Sequence, residues 1–342
     1  MTPRQELDAF AELLVPNLRA AFMAAIQGIV DNAIIAEIVR NIEAGNLEGA
    51  FRAVGFSDAS MRPLTKAIAE AFEAGGILTG ATFPKYLNTT NGKARFLFDV
   101  RNSRAEAYLR DHSSQLITRI ADETRTNVQT ILRQGMIDGR NPRNVALDIV
   151  GRIVPGVNRR VGGIVGLTPQ QAQWVNNTRA DLSDLSERYF TRALRDKRFD
   201  RTVRKAIESG QPLDAETIEK LVLRYKDNAL KYRGETIART EALQSLNASE
   251  YEAHKQIVEM GAAKANHVKR IWDSAGDFRV RYSHRAMDGQ KVGIDEPFVS
   301  PLGSQLMYPG DGSLGADASE IINCRCRVRL KVDWLAQIPK GT

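Results

Sequence analysis

A mainly α-helical fold, an extended helical body followed by a small C-terminal α+β lobe, is what this sequence predicts, on three observations. Apolar residues recur at helical spacing through most of the first 261 positions, aromatic residues make up only 7% of the 342, and strand-like alternation is confined to the far end. With so few aromatic rings, the core has to be built largely from the aliphatic faces of helices.

Leu7, Phe10, Leu14, Leu18 and Phe22 fall three or four apart, and Gly28, Gly45, Gly55 and Gly75 stand where helices would break, so residues 1–75 read as a series of short helices. The Gly-Gly, Phe-Pro and Asn-Gly dipeptides of residues 75–92 mark a loop or hinge. After a short aromatic run over residues 95–100, helical spacing resumes through Leu109, Leu116, Ile120, Val128 and Ile131 toward Gly135. Residues 138–142 form a turn by their Gly and Asn-Pro content, and helical spacing restarts over 145–153. Thr168 is placed to cap a helix whose first residue is Pro169, and helices are predicted over 170–182, 186–208, 214–231 and 234–261. Beyond Gly261, residues 268–273 and 326–334 alternate as strands do, with many Gly, Pro and Asp residues between them. The organisation expected is a helical N-terminal region over 1–92, a helical body over 93–262, the lobe over 263–335 and a tail over 336–342.

The chain carries 48 Lys plus Arg against 41 Asp plus Glu, a net +7 with a pI near 9.4, which suits polyanions or acidic protein partners. Residues 188–205 hold eight Lys or Arg and two Asp. On a helix, Arg192, Arg195, Arg198 and Arg201 would line adjacent turns as a stripe able to neutralise phosphates, which makes them DNA-binding candidates; a solvated helix face accounts for the same run. The longest nearly uncharged run, residues 20–30, is shorter than the roughly 20 residues a bilayer requires, so no membrane-spanning segment is expected. The N-terminus lacks the basic start and apolar core of a secretory signal, so the protein is expected to be made and kept in the cytoplasm until it is used. The Gly-rich stretch 161–169 lacks the Gly-Lys-Ser/Thr of a phosphate-cradling loop, and neither a nucleophile elbow nor His-Glu-x-x-His occurs. A non-enzymatic protein is the expectation.

The C-terminal lobe reads, in order, Trp272, Asp277, Arg281, His284, Asp288-Gly289, Phe298, Tyr308-Pro-Gly-Asp311 and Asn323-Cys-Arg-Cys326. This ordered string resembles the C-terminal signature of Mu F-like phage head morphogenesis proteins, also called minor head proteins. Upstream, residues 95–143 look like that family's helical region and Ala238-Arg-Thr-Glu241 matches its Ala-Arg-Thr-Glu helix, so the resemblance covers roughly residues 95–332. It implies a protein of the virion head, synthesised in the host cytoplasm and acting in capsid assembly. It implies the portal as chief partner, with scaffold protein, major capsid protein and packaged DNA as further ones, and in some relatives a role in DNA ejection.

Cys324 and Cys326 are the chain's two cysteines, and a reducing cytoplasm argues against a structural disulfide. Two apart on a strand, they face the same side and, with His284, offer three ligands to Zn²⁺; Asp277, Asp288 and Asp311 are candidates for a fourth. Alternatively both thiols are small buried apolar groups, with His284 hydrogen-bonded to the acidic residues around it, or they serve a transient redox role. A zinc- or thiol-dependent hydrolase using Cys324 or Cys326 with His284 as base is the enzymatic rival, and a DNA-binding ejection protein is the other. Arg239 and Glu241 point in different directions from one helix, and a paired charge from either is expected to tie that helix to the lobe. Trp272 and Phe298 are expected as core anchors of the lobe.

Overall fold

The structure is a computed structural model that describes residues 3–153, 159–334 and 336, so the expected tail lies almost wholly outside the described residues. The helices are α1 (Pro3–Asn32), α2 (Ile35–Glu43), α3 (Leu47–Val54), α4 (Arg62–Gly80), α5 (Ser103–Ile137), α6 (Pro142–Val150), α7 (Pro169–Ser183), α8 (Asp200–Ser209), α9 (Ala215–Glu259), α10 (Tyr282–Ala286) and α11 (Ala318–Ile321). The strands are β1 (Leu87–Thr89), β2 (Gly92–Ala94), β3 (Arg152–Ile153), β4 (Arg160–Val161), β5 (Val268–Asp273), β6 (Lys291–Gly293), β7 (Phe298–Val299), β8 (Gln305–Leu306) and β9 (Arg327–Val332). The fold is mainly α with a small C-terminal α+β lobe, as the periodicity predicts.

Several elements differ from the sequence reading for identifiable reasons. The N-terminal helix is one 30-residue element that includes Pro16 and Gly28, not a set of short ones. Its segment Gln5–Asn32 is long and apolar enough, at mean hydropathy 1.5, to cross a membrane, which residues 20–30 alone are not. Ala11, Val15, Leu18, Phe22, Ala25, Ile26 and Ile29 on it are buried at helical spacing, the pattern of a core-facing helix in a folded protein. Gly75 and Gly76 lie inside α4, where a Cβ would come within 2.3 Å of Ser249 Oγ and of the Phe98 ring respectively; they permit close packing and do not break the helix. The two helices expected over 214–231 and 234–261 are the single α9, because one helical glycine, Gly234, costs only about 1 kcal/mol and buried residues flank it. Thr168 caps α7 in a reciprocal capping box with Gln171, and Pro169 is its first residue, as expected.

The chain divides into two compact units assembled from discontinuous segments, residues 1–19, 64–113 and 236–342 in one and residues 20–63 and 114–235 in the other. The divisions fall inside α1, α4, α5 and α9. In the second unit, Asp148 is buried among Lys226 at 3.6 Å, Arg152 at 3.5 Å and Arg140, with which it also hydrogen-bonds. Burial alone would raise its carboxyl, yet Lys226, Arg140 and Arg152 outweigh that and hold it below the usual range. The buried Arg233 guanidinium donates to the carbonyl of Gly166 at 2.7 Å and pairs with Glu123.

The first unit contains the lobe, whose antiparallel sheet has the order β6-β5-β9, with Trp272 opposite Val328 across the long pair. Phe72, Ala105, Ala248, Trp272, Phe298, Leu306, Tyr308 and Val328 pack into one core. On the central strand β5 stands Arg270, 0% exposed and without a carboxylate partner among the hydrogen bonds of the described residues. Its guanidinium donates to the carbonyls of Gly293 (3.1 and 3.0 Å), Met307 and Glu296, and lies over the Tyr251 and Phe298 rings at 5.1 and 5.2 Å. Three carbonyls from the loops after β5 therefore converge on one buried cation. Arg270→Met is expected to cost about 3 kcal/mol or more in urea unfolding, because buried acceptors lose their donor. Arg270→Lys is expected to recover little of that, since a single ammonium cannot reproduce the planar fork.

Candidate functional site: a buried Cys-Cys-His cluster

The site is built from α9 outward. Thr240 and Asn247 are seven residues apart and so lie on one face of that helix. Thr240 Oγ1 accepts the backbone N–H of Asn323 at 3.0 Å. The Asn247 side chain donates to the carbonyls of Pro309 (3.0 Å) and Cys326 (3.2 Å), and its oxygen accepts the N–H of Val328 at 3.1 Å. One helix face therefore holds the segment 323–328 at both ends. Asn323 takes a left-handed backbone (φ 54°), which asparagine tolerates better than most residues, and turns the chain from α11 into β9.

A second set of contacts ties this segment to the loop before α10. Arg325 makes a two-pronged pair with Asp277 (2.6 and 2.7 Å), and Arg281 donates to the carbonyl of Ile322. The Arg325 guanidinium is the main reason the Asp277 carboxyl sits far below the usual range. His284 then projects from α10 with Nδ1 3.4 Å from Cys324 Sγ and 3.5 Å from Cys326 Sγ. All three residues are buried, at 1%, 4% and 2% exposure, and their ligating atoms lie within 4.8 Å of one another. Both thiols are free of disulfides. The Trp272 indole packs edge-on against the imidazole at 5.1 Å and against Phe298 at 5.3 Å, so the two expected anchors wall the cluster.

The thiols are inequivalent. The Cys326 thiol interacts with Cys324 and lowers its pKa, against burial, with Arg281 and Arg325 adding their positive field; the Cys326 thiol is itself driven far up by Cys324 and by burial.

The acidic residues expected around His284 do not serve it. Asp277 holds Arg325, Asp288 accepts the N–H of Ser274 at 2.7 Å, and Asp311 accepts the N–H groups of Met307 (2.8 Å) and Ser313 (2.9 Å). Consequently none of the three stands as a fourth ligand, and His284 Nε2 is buried with no hydrogen-bond partner. The Glu320 carboxylate, on α11, is likewise buried. Burial raises the Glu320 carboxyl, but Ser283, Ser304 and Ser300 and the nearby His284 favour its charged form and leave its pKa lowered.

Elsewhere the sequence candidates fare differently. Glu241 is buried and pairs with His112 on α5 at 2.5 Å, so its charge is not what ties α9 to the lobe; the neighbouring Thr240 hydroxyl does that. Arg239 is exposed. The arginine stripe over 186–208 is not one helix: Ser186 and Asp196 accept the N–H groups of Arg188 and Arg198, closing single turns over Glu187–Thr191 and Lys197–Phe199 before α8 begins. Arg192 pairs with Asp181 at 2.7 Å, Arg195 with Asp200 at 3.0 Å and Arg198 with Asp196 at 2.6 Å, leaving Arg201 exposed on α8. The four arginines therefore do not form the expected stripe.

Sequence reasoning missed Arg270, Asn247 and Glu320. The signal was there for the first, a cation inside a strand pattern, whereas nothing local marks Asn247 or Glu320 as buried.

Residues 197–329 match the family described as Phage Mu protein F like protein, a narrower span than residues 95–332. Over 72 residues the chain is 35% identical to a minor head protein of Bacillus phage SPP1, covering 21% of this chain and 22% of that one. It is 32% identical over 133 residues to an uncharacterized protein of Bacillus subtilis (37% and 39% covered) and 31% identical over 100 residues to an NAD(+)–arginine ADP-ribosyltransferase of Enterococcus faecalis (29% and 19%). The matches thus span between about a fifth and two fifths of these relatives' own lengths. No solved structure matches the chain.

Two measurements test this architecture. Asn247→Asp is expected to destabilise the protein more than Asn247→Ala, by about 3 kcal/mol or more against parent in chemical denaturation, because it sets a carboxylate against two buried carbonyls. Glu250, three residues further along α9, has its carboxyl raised from 4.5 to about 7 by burial, against the pull of Arg327. The folded pKa lies above the unfolded one, so this contribution to stability is full below pH 4.5 and is lost as pH rises through 7. His254, lowered from 6.5 to about 4 by burial, works the opposite way, losing stability as pH falls through that range. The difference between parent and Glu250→Gln isolates the first effect: the variant is expected to gain relative stability from pH 5 to pH 8, by up to about 3 kcal/mol, read from denaturation midpoints at each pH.

Proposed function

We propose that this protein is a minor head protein of a phage, a structural component that acts in head morphogenesis and docks at the portal during capsid assembly. The observation that carries the reading is the match of residues 197–329 to the Mu F-like family, together with the likeness to a relative named as a minor head protein. That span contains α8, α9 and nearly the whole lobe, so the shared part is a folded module and not an isolated motif. A place in the virion head follows from the reading, as does synthesis in the host cytoplasm.

Docking is supported by the lobe's surface. Phe278, Leu302 and Leu314 on its loops and Tyr282 at the start of α10 expose large apolar side chains, the first at 89%. Exposed anchors of this kind on loops held by a fastened scaffold suit a protein interface. Protein is favoured over DNA as the principal partner because Arg192, Arg195 and Arg198 already spend their charge on neighbouring aspartates. A non-enzymatic role is favoured because both thiols and the imidazole are buried, out of reach of a substrate. The ADP-ribosyltransferase activity in one relative's name stays with that relative, of which only 19% is matched.

The test is co-expression with the portal protein encoded by the same phage, followed by co-sedimentation and by a particle-assembly assay lacking this protein. Co-sedimentation that falls at least tenfold on Phe278→Ser with Leu302→Ser, the melting temperature unchanged, is the expected result. Normal infectious particles in the protein's absence would overturn the reading. Salt-dependent DNA affinity lost on Arg201→Glu, without portal association, would replace it with DNA-binding ejection.

A further inference from the structure

We propose that His284, Cys324 and Cys326 bind one Zn²⁺ ion that staples the C-terminal lobe. A tetrahedral site with Zn–N of about 2.0 Å and Zn–S of about 2.3 Å separates nitrogen from sulfur by roughly 3.5 Å. The two Nδ1–Sγ distances are 3.4 and 3.5 Å, and the sulfurs lie within the 4.8 Å that the trio spans. The geometry a metal requires is therefore already set by the fold. Nδ1 has a single lone pair and two thiols approach it equally, so hydrogen bonding lets only one of them donate to the ring while the other turns to its neighbouring sulfur. An ion on that lone pair engages all three donors at once, the two thiols giving up their protons to solvent as the Zn–S bonds form.

The outer groups fit as well. A ligating histidine usually donates its other ring N–H to an acceptor, commonly a carboxylate. Here Nε2 is buried without a hydrogen-bond partner, and the buried Glu320 carboxylate, kept in its charged form by Ser283, Ser304 and Ser300, is near enough for its charge to feel His284. With Nδ1 on the metal the proton is fixed on Nε2, whose partial positive charge the Glu320 carboxylate favours. Asp277, Asp288 and Asp311 are engaged elsewhere, so the protein supplies three ligands from this trio. Burial behind Trp272 makes this a structural ion: it joins α10 to the start of β9, elements 40 residues apart in sequence that no strand pairing connects.

The inference concerns the lobe's stability and stands apart from the portal reading. The test is elemental analysis of the full-length protein purified in reducing buffer, with Co²⁺ titration of the chelator-treated protein as a readout that needs no mutation. About one zinc per chain, a sulfur-to-cobalt charge-transfer band, and a melting temperature lowered by chelation are expected. Cys324→Ser and Cys326→Ser should each abolish that band. Glu320→Gln, which leaves all three ligands in place, should weaken zinc affinity by about 10-fold or more. Substoichiometric metal, no cobalt band, and a cooperative melt indifferent to chelation would overturn the proposal and leave the cysteines as packed core.

Discussion

Backbone polar groups in the C-terminal lobe have to find partners, and regular structure supplies few of them. Between β5 and β9 the chain runs for more than fifty residues with only short strands and two short helices, yet it is threaded through a dry core. An unpaired buried carbonyl or amide costs about 1–3 kcal/mol, so this path is possible only because side chains take over the pairing. Arg270 gathers three carbonyls, Asn247 satisfies two carbonyls and an amide, and Asp311 and Asp288 accept loop N–H groups. The lobe is irregular in backbone and highly determined in side chains.

Helix α9 is what the first unit is arranged around. It presents Thr240 and Asn247 to the cysteine segment, Gln256 to the backbone of Asp99, and Glu252 and Glu259 to Arg104. A long helix suits this because each turn repeats the same face at 5.4 Å intervals, so partners distant in sequence are set in register by one rigid ruler. Close approach is needed on another face, where Gly75 meets Leu246 and Ser249. α4 therefore contributes only glycine at that crossing, and the aromatic groups Phe72, Phe98 and Tyr108 pack together nearby, at ring separations of 5.6 and 5.0 Å.

Fold class was readable because helical periodicity is a local signal: α7 with its Thr168 cap, and β5 over 268–273, appear where spacing and capping chemistry put them. Glycine was the main source of error. Gly75, Gly76 and Gly234 look like breaks in one dimension, while in three they are contacts or tolerated costs. Charge was the other. Arg192 and Arg195 read as an unneutralised stripe, but Asp181 is eleven residues from the first, and local capping by Ser186 and Asp196 displaced the helix the stripe required. At the candidate site the trio itself was visible from residue type and spacing. Its support was not, since Arg281 reaching the carbonyl of Ile322 and Glu320 being buried are products of tertiary packing.

The ordered string from Trp272 to Cys326 acquires a physical meaning in this light. Trp272 and Phe298 wall the core, Asp277 holds Arg325, Arg281 holds Ile322, His284 meets both thiols, and Asp288 and Asp311 close turns. Gly289, at φ 76°, returns its N–H to the carbonyl of Trp272 at 2.9 Å, a conformation that side chains resist. Each of these side chains thus acts as a fastener of the lobe. A resemblance carried by fasteners speaks for a shared architecture, which is consistent with partial relatives bearing quite different names. What distinguishes one such protein from another must then lie between the fasteners, on loops such as those that expose Phe278, Leu302 and Leu314, where substitution leaves the core untouched and alters only what the surface meets.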